Sequence, residues 1–197
     1  GGRADHYYSQ VSQYWSQSDP EAALEWAREL PTGPGRASAI QGLIDSLSQV
    51  DPAKAASLVE EEGITHRNSH SVGTLVANWA SQDPESAVAW YEGLDLSGDS
   101  RRNSLSSILS NWVQQDTESA AQFALSIDSE KDRQIAVNSL INSWGGMDPA
   151  GAEQWISANL DGKTRNQALN SLIQTLSHQD YQSAVEIYNE VAFSLPA

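Results

Sequence analysis

The sequence predicts an all-α protein, an α-solenoid built from six antiparallel helical hairpins with about twelve helices. Three observations predict this fold. An Asp recurs at a nearly constant interval, apolar residues recur with helical spacing on both sides of it, and no useful length of sequence alternates like a β-strand. One hairpin cannot bury its own apolar face, whereas a stack of hairpins makes a continuous core.

The recurrent Asp marks the start of one helix in each repeat. It occurs every 32 or 33 residues, at Asp19, Asp51, Asp83, Asp116, Asp148 and Asp180, and a Pro follows four of the six. An Asp at an N-cap accepts a hydrogen bond from a free backbone N–H. A Pro is well tolerated at the first helical position, because the N–H that it lacks has no partner inside the helix there. Each Asp therefore predicts a short helix, called helix B, of about ten or eleven residues.

Large apolar residues stand at two fixed distances from the Asp, and all seven Trp lie among them. Four residues before it are Trp15, Leu47, Trp79, Trp112, Trp144 and Leu176; seven residues after it are Trp26, Leu58, Trp90, Phe123, Trp155 and Ile187. We expect the Trp side chains to pack in the core, and Trp112→Ala or Trp144→Ala to cost about 3–5 kcal/mol. The segment before each Asp predicts a longer helix, called helix A.

Turn residues separate the hairpins, for example in the linkers 31–35 and 95–99. We expect one repeat domain over 1–197, with repeats at about 4–33, 34–65, 66–97, 98–130, 131–162 and 163–195. An Arg begins most A helices, at Arg36, Arg67, Arg101, Arg133 and Arg165. We expect it to pair with a neighbouring cap Asp.

A family resemblance is visible in the last helix B. It reads QDYQSAVEIY from Gln179 to Tyr188, followed by Ala192, Leu195 and Pro196, and resembles the second helix of a tetratricopeptide repeat. The likeness covers all six B helices; the A helices lack the family's Trp, Leu-Gly and Tyr pattern, and the period is about two residues shorter than its typical 34. The resemblance implies a right-handed αα superhelix whose A helices line a concave groove that binds peptides or proteins.

The A helices carry short, mostly uncharged residues opposite their apolar face. Ten and six residues before each Asp, successive repeats hold Gln41 and Asp45, Gly73 and Ala77, Ser106 and Ser110, Asn138 and Asn142, and Asn170 and Gln174. Asn and Gln donate and accept hydrogen bonds at once, which suits the main chain of an extended peptide. We predict that a peptide binds to Gln41, Asp45, Ser106, Ser110, Asn138, Asn142, Asn170 and Gln174, together called the ladder. The alternative is that these are ordinary solvated positions.

Charge restricts the class of partner. The chain has 11 basic and 26 acidic residues, a net charge of −15, and many of its Glu residues fall in B helices. This balance speaks against nucleic acid and anionic membrane surfaces, which attract basic proteins. No apolar run approaches the roughly 18 residues of a membrane helix, so we expect no membrane insertion. The expected partner is a protein or an extended peptide, including a basic one.

The motifs of catalysis and metal binding are missing from the sequence. There is no Cys, no glycine-rich phosphate loop and no G-x-S-x-G elbow. His66 and His70 are four residues apart at the start of an A helix, but no further ligand follows at a helpful spacing. We therefore predict a non-catalytic scaffold with no metal and no cofactor.

Two rival functions and the compartment stay open. The first is a structural spacer or self-assembly module, because apolar residues crowd both ends: Tyr7, Tyr8, Val11, Tyr14 and Trp15, and Val185, Ile187, Tyr188, Val191 and Phe193. The second is a domain that supports an enzyme encoded in the same gene. The composition, without Cys and with few Lys, favours an exported bacterial protein, with a cytosolic scaffold as the alternative.

Overall fold

The computed structural model describes residues 2–64, 69–96 and 98–194. These residues form twelve α-helices and no strand, which confirms the predicted all-α class and helix number. In chain order the helices are α1 (Gly2–Ser16), α2 (Pro20–Glu29), α3 (Pro34–Val50), α4 (Pro52–Glu61), α5 (Ser69–Gln82), α6 (Pro84–Glu92), α7 (Gly98–Gln115), α8 (Thr117–Ser126), α9 (Glu130–Met147), α10 (Pro149–Asn159), α11 (Gly162–Ser177) and α12 (Tyr181–Ser194). The odd-numbered helices are the predicted A helices and the even-numbered ones the B helices.

All six recurrent Asp residues cap helix B, as predicted. Each carboxylate accepts a hydrogen bond from the backbone N–H three residues later, at 3.0–3.2 Å. In three repeats that later residue is a Ser, whose hydroxyl also donates to the carboxylate at 2.6 Å. These hydroxyl bonds, and secondly the backbone N–H bonds, hold the pKa of Asp83, Asp116 and Asp180 below its usual 3.8.

The chain divides into two compact units, and the first is Gly1–Ser104. Within it, α1 packs on α3 and α3 on α5, and each A helix packs on the B helix that follows it. Leu43, Ile44 and Leu75 are fully buried in this core. The Ala four residues after each cap Asp is also fully buried here, because its small side chain lets helix B approach helix A closely.

The second compact unit is Leu105–Ala197. Here α9 packs on α11, while α10 contacts both of these A helices. Helix α8 packs on α9, and α12 on α11. The fully buried side chains come from both A and B helices and include Ile108, Leu140, Ile156 and Leu172. Each unit therefore contains A helices that pack side by side with their B helices against them.

The Trp side chains pair inside the hairpins, but most of them are only partly buried, which differs from the prediction. Ring centroids are 6.0 Å apart in Trp15–Trp26, 5.9 Å in Trp79–Trp90 and Trp144–Trp155, and 5.4 Å in the stacked Trp112–Phe123 pair. Only Trp112 is buried, with 7% of its surface exposed, and the other six are partly exposed. The expectation that all seven are core residues is wrong for six of them, because their rings pack on one another and still leave part of their surface open to solvent.

The predicted pairing of the Arg residues with cap Asp residues is also wrong for two of them. Arg36 donates to the backbone carbonyl of Arg28 at 3.4 Å, and Arg133 to that of Ile127 at 3.2 Å. Each of these guanidinium groups therefore satisfies a carbonyl at the C-terminal end of the preceding helix B, where carbonyls have no helical partner. Arg67 lies outside the described residues.

Candidate functional site

In the first unit the ladder contributes a single polar pair. Gln41 donates from Nε2 to Oδ1 of Asp45, one turn later in α3, at 2.8 Å, and both side chains are half-buried. The same two positions of the next repeat hold Gly73 and Ala77, which carry no polar side chain. The only carboxylate of the ladder is thus held by its own helix.

In the second unit the ladder links neighbouring A helices by a regular set of hydrogen bonds. Four of its six ladder residues accept from a hydroxyl 33 residues further along the chain. The bonds are Ser139 to Ser106 at 2.9 Å, Ser143 to Ser110 at 3.3 Å, Ser171 to Asn138 at 3.3 Å and Thr175 to Asn142 at 3.1 Å. Each donor hydroxyl belongs to the residue that follows the equivalent ladder position in the next repeat.

A further rung extends this pattern towards the start of α9. Gln134 lies one turn before Asn138, and its Nε2 donates to Oε1 of Gln167 in α11 at 2.6 Å. Sequence reasoning missed Gln134, Gln167 and the four hydroxyl donors of the other rungs. The available signal was the recurrence of Ser or Thr nine and five residues before Asp148 and Asp180.

The ladder residues of the second unit differ in their exposure to solvent. Asn170 and Gln174 on α11 are exposed, as is Asn142 on α9, whereas Ser106, Ser110 and Asn138 are half-buried. All six ladder residues of the second unit are uncharged. These ladder residues therefore offer a ligand amide and hydroxyl dipoles and no charged group.

The side-chain amides of Asn138 and Asn142 use their oxygens to contact the neighbouring helix and keep their N–H donors. The side chains of Asn138 and Asn142 each accept at Oδ1 from α11, which fixes the plane of the amide. An Asn amide has two N–H donors, and these stay available after the oxygen is engaged. The ladder can therefore present oriented N–H groups to carbonyl acceptors of a ligand.

No metal site or membrane span is found among the described residues. They contain no group of three or more His, Asp and Glu side chains that could hold a metal ion. Of the two His considered above, His66 and the side chain of His70 lie outside what the structure describes. Helices in the ranges 2–64, 69–96 and 98–194 are all too short or too polar to span a membrane.

Comparison with protein-family models, with curated proteins and with solved structures gives no match.

Proposed function

We propose that this chain is a non-catalytic scaffold, a tetratricopeptide-like α-solenoid, that binds an extended peptide or a protein segment on its A helices. The observation that carries the proposal is the ladder of the second unit. Ser106 and Ser110 on α7, Asn138 and Asn142 on α9, and Asn170 and Gln174 on α11 supply the contacts. In the first unit, Gln41 and Asp45 occupy the same repeat positions.

The chemistry of these side chains fits peptide main chain better than it fits a charged ligand. An extended peptide offers a carbonyl or an N–H at regular spacing, and amides and hydroxyls serve both. The oxygens of Asn138 and Asn142 are held by Ser171 and Thr175 before any ligand arrives. Such preorganisation lowers the entropy that is lost on binding.

A displayed peptide library, selected at low and at high salt, tests this function. We expect a motif that is enriched at both salt concentrations, because uncharged groups make the contacts. The matched variant is Asn138→Asp with Asn142→Asp, which keeps the oxygens that accept from α11 and removes the N–H donors. Loss of two hydrogen bonds to ligand should weaken binding by about tenfold or more.

The control variant, Gln154→Asp with Ser157→Asp, places the same two charges at exposed positions of helix α10. Its affinity should equal that of the unchanged protein. Equal weakening in both variants would assign the effect to charge, and no enrichment at either salt concentration would rule out a linear-peptide ligand.

Self-assembly through the terminal helices is a second candidate, favoured by exposed apolar side chains. On α1, Tyr7, Val11 and Tyr14 are exposed, and Val11 and Tyr14 border an open cavity of about 470 Å³ with Gln10, Trp15 and Ser18. On α12, Tyr181, Val185 and Tyr188 are exposed. Apolar surface of this kind marks an interaction site when it is contiguous.

If this second function is correct, the mass measured by light scattering should rise with protein concentration. Val11→Ser with Tyr14→Ser, or Val185→Ser with Tyr188→Ser, should abolish that rise, because each pair removes apolar area from one end. A constant monomer mass over the whole concentration range would exclude self-assembly.

A further inference from the structure

A groove of the second unit, separate from the ladder, has a lining unlike that of the corresponding grooves in the first unit. It is a cavity of about 470 Å³, formed by α8, α10 and the end of α9. Its lining residues are Thr117, Glu118, Ala121, Gln122, Leu125, Trp144, Trp155 and Asn159. None of these eight residues is basic.

In the first unit, polar side chains bridge neighbouring B helices. Lys54 of α4 pairs with Glu21 of α2, and Arg28 of α2 pairs with Glu61 of α4 at 2.6 Å. Between α4 and α6, the indole N–H of Trp90 donates to Oε1 of Glu60 at 2.9 Å. These bridges occupy the space between successive B helices.

Between α8 and α10 the repeat positions of Lys54, Arg28 and Glu60 hold Gly151, Leu125 and again Leu125, which cannot form these bridges. Trp155 occupies the repeat position of Trp90, seven residues after its Asp. The position of Glu60, nine residues after the preceding Asp, is held here by Leu125, which cannot accept a hydrogen bond. The paired rings of Trp144 and Trp155 are partly exposed, tilted by 50° and 5.9 Å apart, and therefore form an aromatic wall of the groove.

Each uncharged polar residue of the groove that carries a donor has one hydrogen bond from it to an acceptor inside the protein. The Thr117 hydroxyl donates to the Val113 carbonyl at 2.9 Å, and Nδ2 of Asn159 donates to the Trp155 carbonyl at 2.9 Å. Nε2 of Gln122 lies 3.5 Å from Oε1 of Glu118, to which it donates. The oxygens of Thr117, Gln122 and Asn159 stay free to accept, beside the exposed carboxylate of Glu118.

We propose that this groove binds the side chain of an Arg residue from a partner protein. A guanidinium group has five N–H donors and no acceptor, so it matches a rim of acceptors. Its planar cation stacks on indole rings and pairs with a carboxylate. Trp144 and Trp155 supply the indole rings of this groove, and Glu118 supplies the carboxylate. The net charge of −15 favours the approach of a basic segment. This site does not use the ladder and goes beyond the function proposed above.

The test is a titration of the full chain with the tripeptide Ac-Gly-Arg-Gly-NH₂, followed by the indole N–H resonances of its seven Trp. The resonances of Trp144 and Trp155 are assigned from variants that lack one ring. We expect both to shift in a saturable way, while those of Trp26 and Trp90 stay in place. The same peptide with citrulline, which is neutral and nearly isosteric with Arg, should give no saturable shift.

Two substitutions have matched controls at the same repeat position. Glu118→Gln should weaken binding of the Arg peptide by about threefold to fivefold, as expected for one partly solvated ion pair. Glu85→Gln removes a charge from the equivalent place in α6 and should leave binding unchanged. Trp155→Leu should abolish binding, and Trp90→Leu should not; Leu58 occupies this position in the second repeat, so Leu fits the fold.

Three results would overturn the proposal: no shift at Trp144 and Trp155, equal shifts with the citrulline peptide, or an equal loss of binding in Glu118→Gln and Glu85→Gln. None of them bears on the ladder, because Asn138→Asp with Asn142→Asp should leave binding of the Arg tripeptide intact. The two sites are thus tested separately.

Discussion

Trp112→Ala is expected to lower the free energy of unfolding by about 3–5 kcal/mol. Trp112 lies in the second unit with 7% of its surface exposed, and its ring stacks on Phe123 at 5.4 Å between centroids. Removal of the indole takes away a large apolar contact and leaves a cavity that a packed interior fills only in part. Urea denaturation followed by far-UV circular dichroism measures the effect without relying on Trp fluorescence.

Trp144→Ala is the matched comparison, since Trp144 has the same repeat position in the next repeat and is partly exposed. We now expect a smaller loss than the 3–5 kcal/mol inferred from the sequence, about 1–3 kcal/mol, because less apolar surface is returned to water. Equal losses in the two variants would show that burial does not control the effect. An unchanged midpoint for Trp112→Ala would show that its ring is not part of the core.

Gly42→Ala is expected to destabilise the first unit by about 1–3 kcal/mol, the cost of overpacking a tight contact. A Cβ atom at Gly42 would lie 2.4 Å from the Ser9 carbonyl oxygen and 3.0 Å from the Ser9 Cα, both in α1. These are backbone atoms, so relief requires α1 to move away from α3. Thermal unfolding of the variant should show a lower midpoint.

Gly73→Ala is the control for the same change inside a helix. No atom lies within 4 Å of a Cβ built at Gly73. There Ala should stabilise by about 0.5–1 kcal/mol, because Gly loses more backbone entropy than Ala when a helix forms. If both variants gained stability, α1 and α3 could not lie as close as the structure places them.

The helices and their caps could be predicted because the repeat places the same local signal in every copy. Asp accepts from the backbone three residues later in all six copies, a contact that depends only on neighbours in sequence. The partners of the ladder residues depend on how two A helices align, which helical periodicity does not determine. Ser171 and Thr175 therefore had to be found in the structure.

The exposure of the Trp rings and the presence of the groove could not be predicted from the sequence, for a related reason. A repeat position predicts that Trp144 and Trp155 are near each other, but not which edge of the hairpin they occupy. The groove depends on differences between repeats, among them Leu125 in place of Glu60. That Leu125 removes a hydrogen-bond acceptor from this space can be recognised only when the Trp90–Glu60 hydrogen bond is known.

Side-chain amide resonances test most directly whether the ladder holds a peptide. With a library-selected peptide added, we predict shifts for the N–H₂ groups of Asn138 and Asn142 and slower exchange of their protons with solvent. The exposed amides of Gln154 on α10 and Gln182 on α12 should not change. A footprint on the B helices, with Asn138 and Asn142 unaffected, would contradict the proposal that the A helices carry the binding surface.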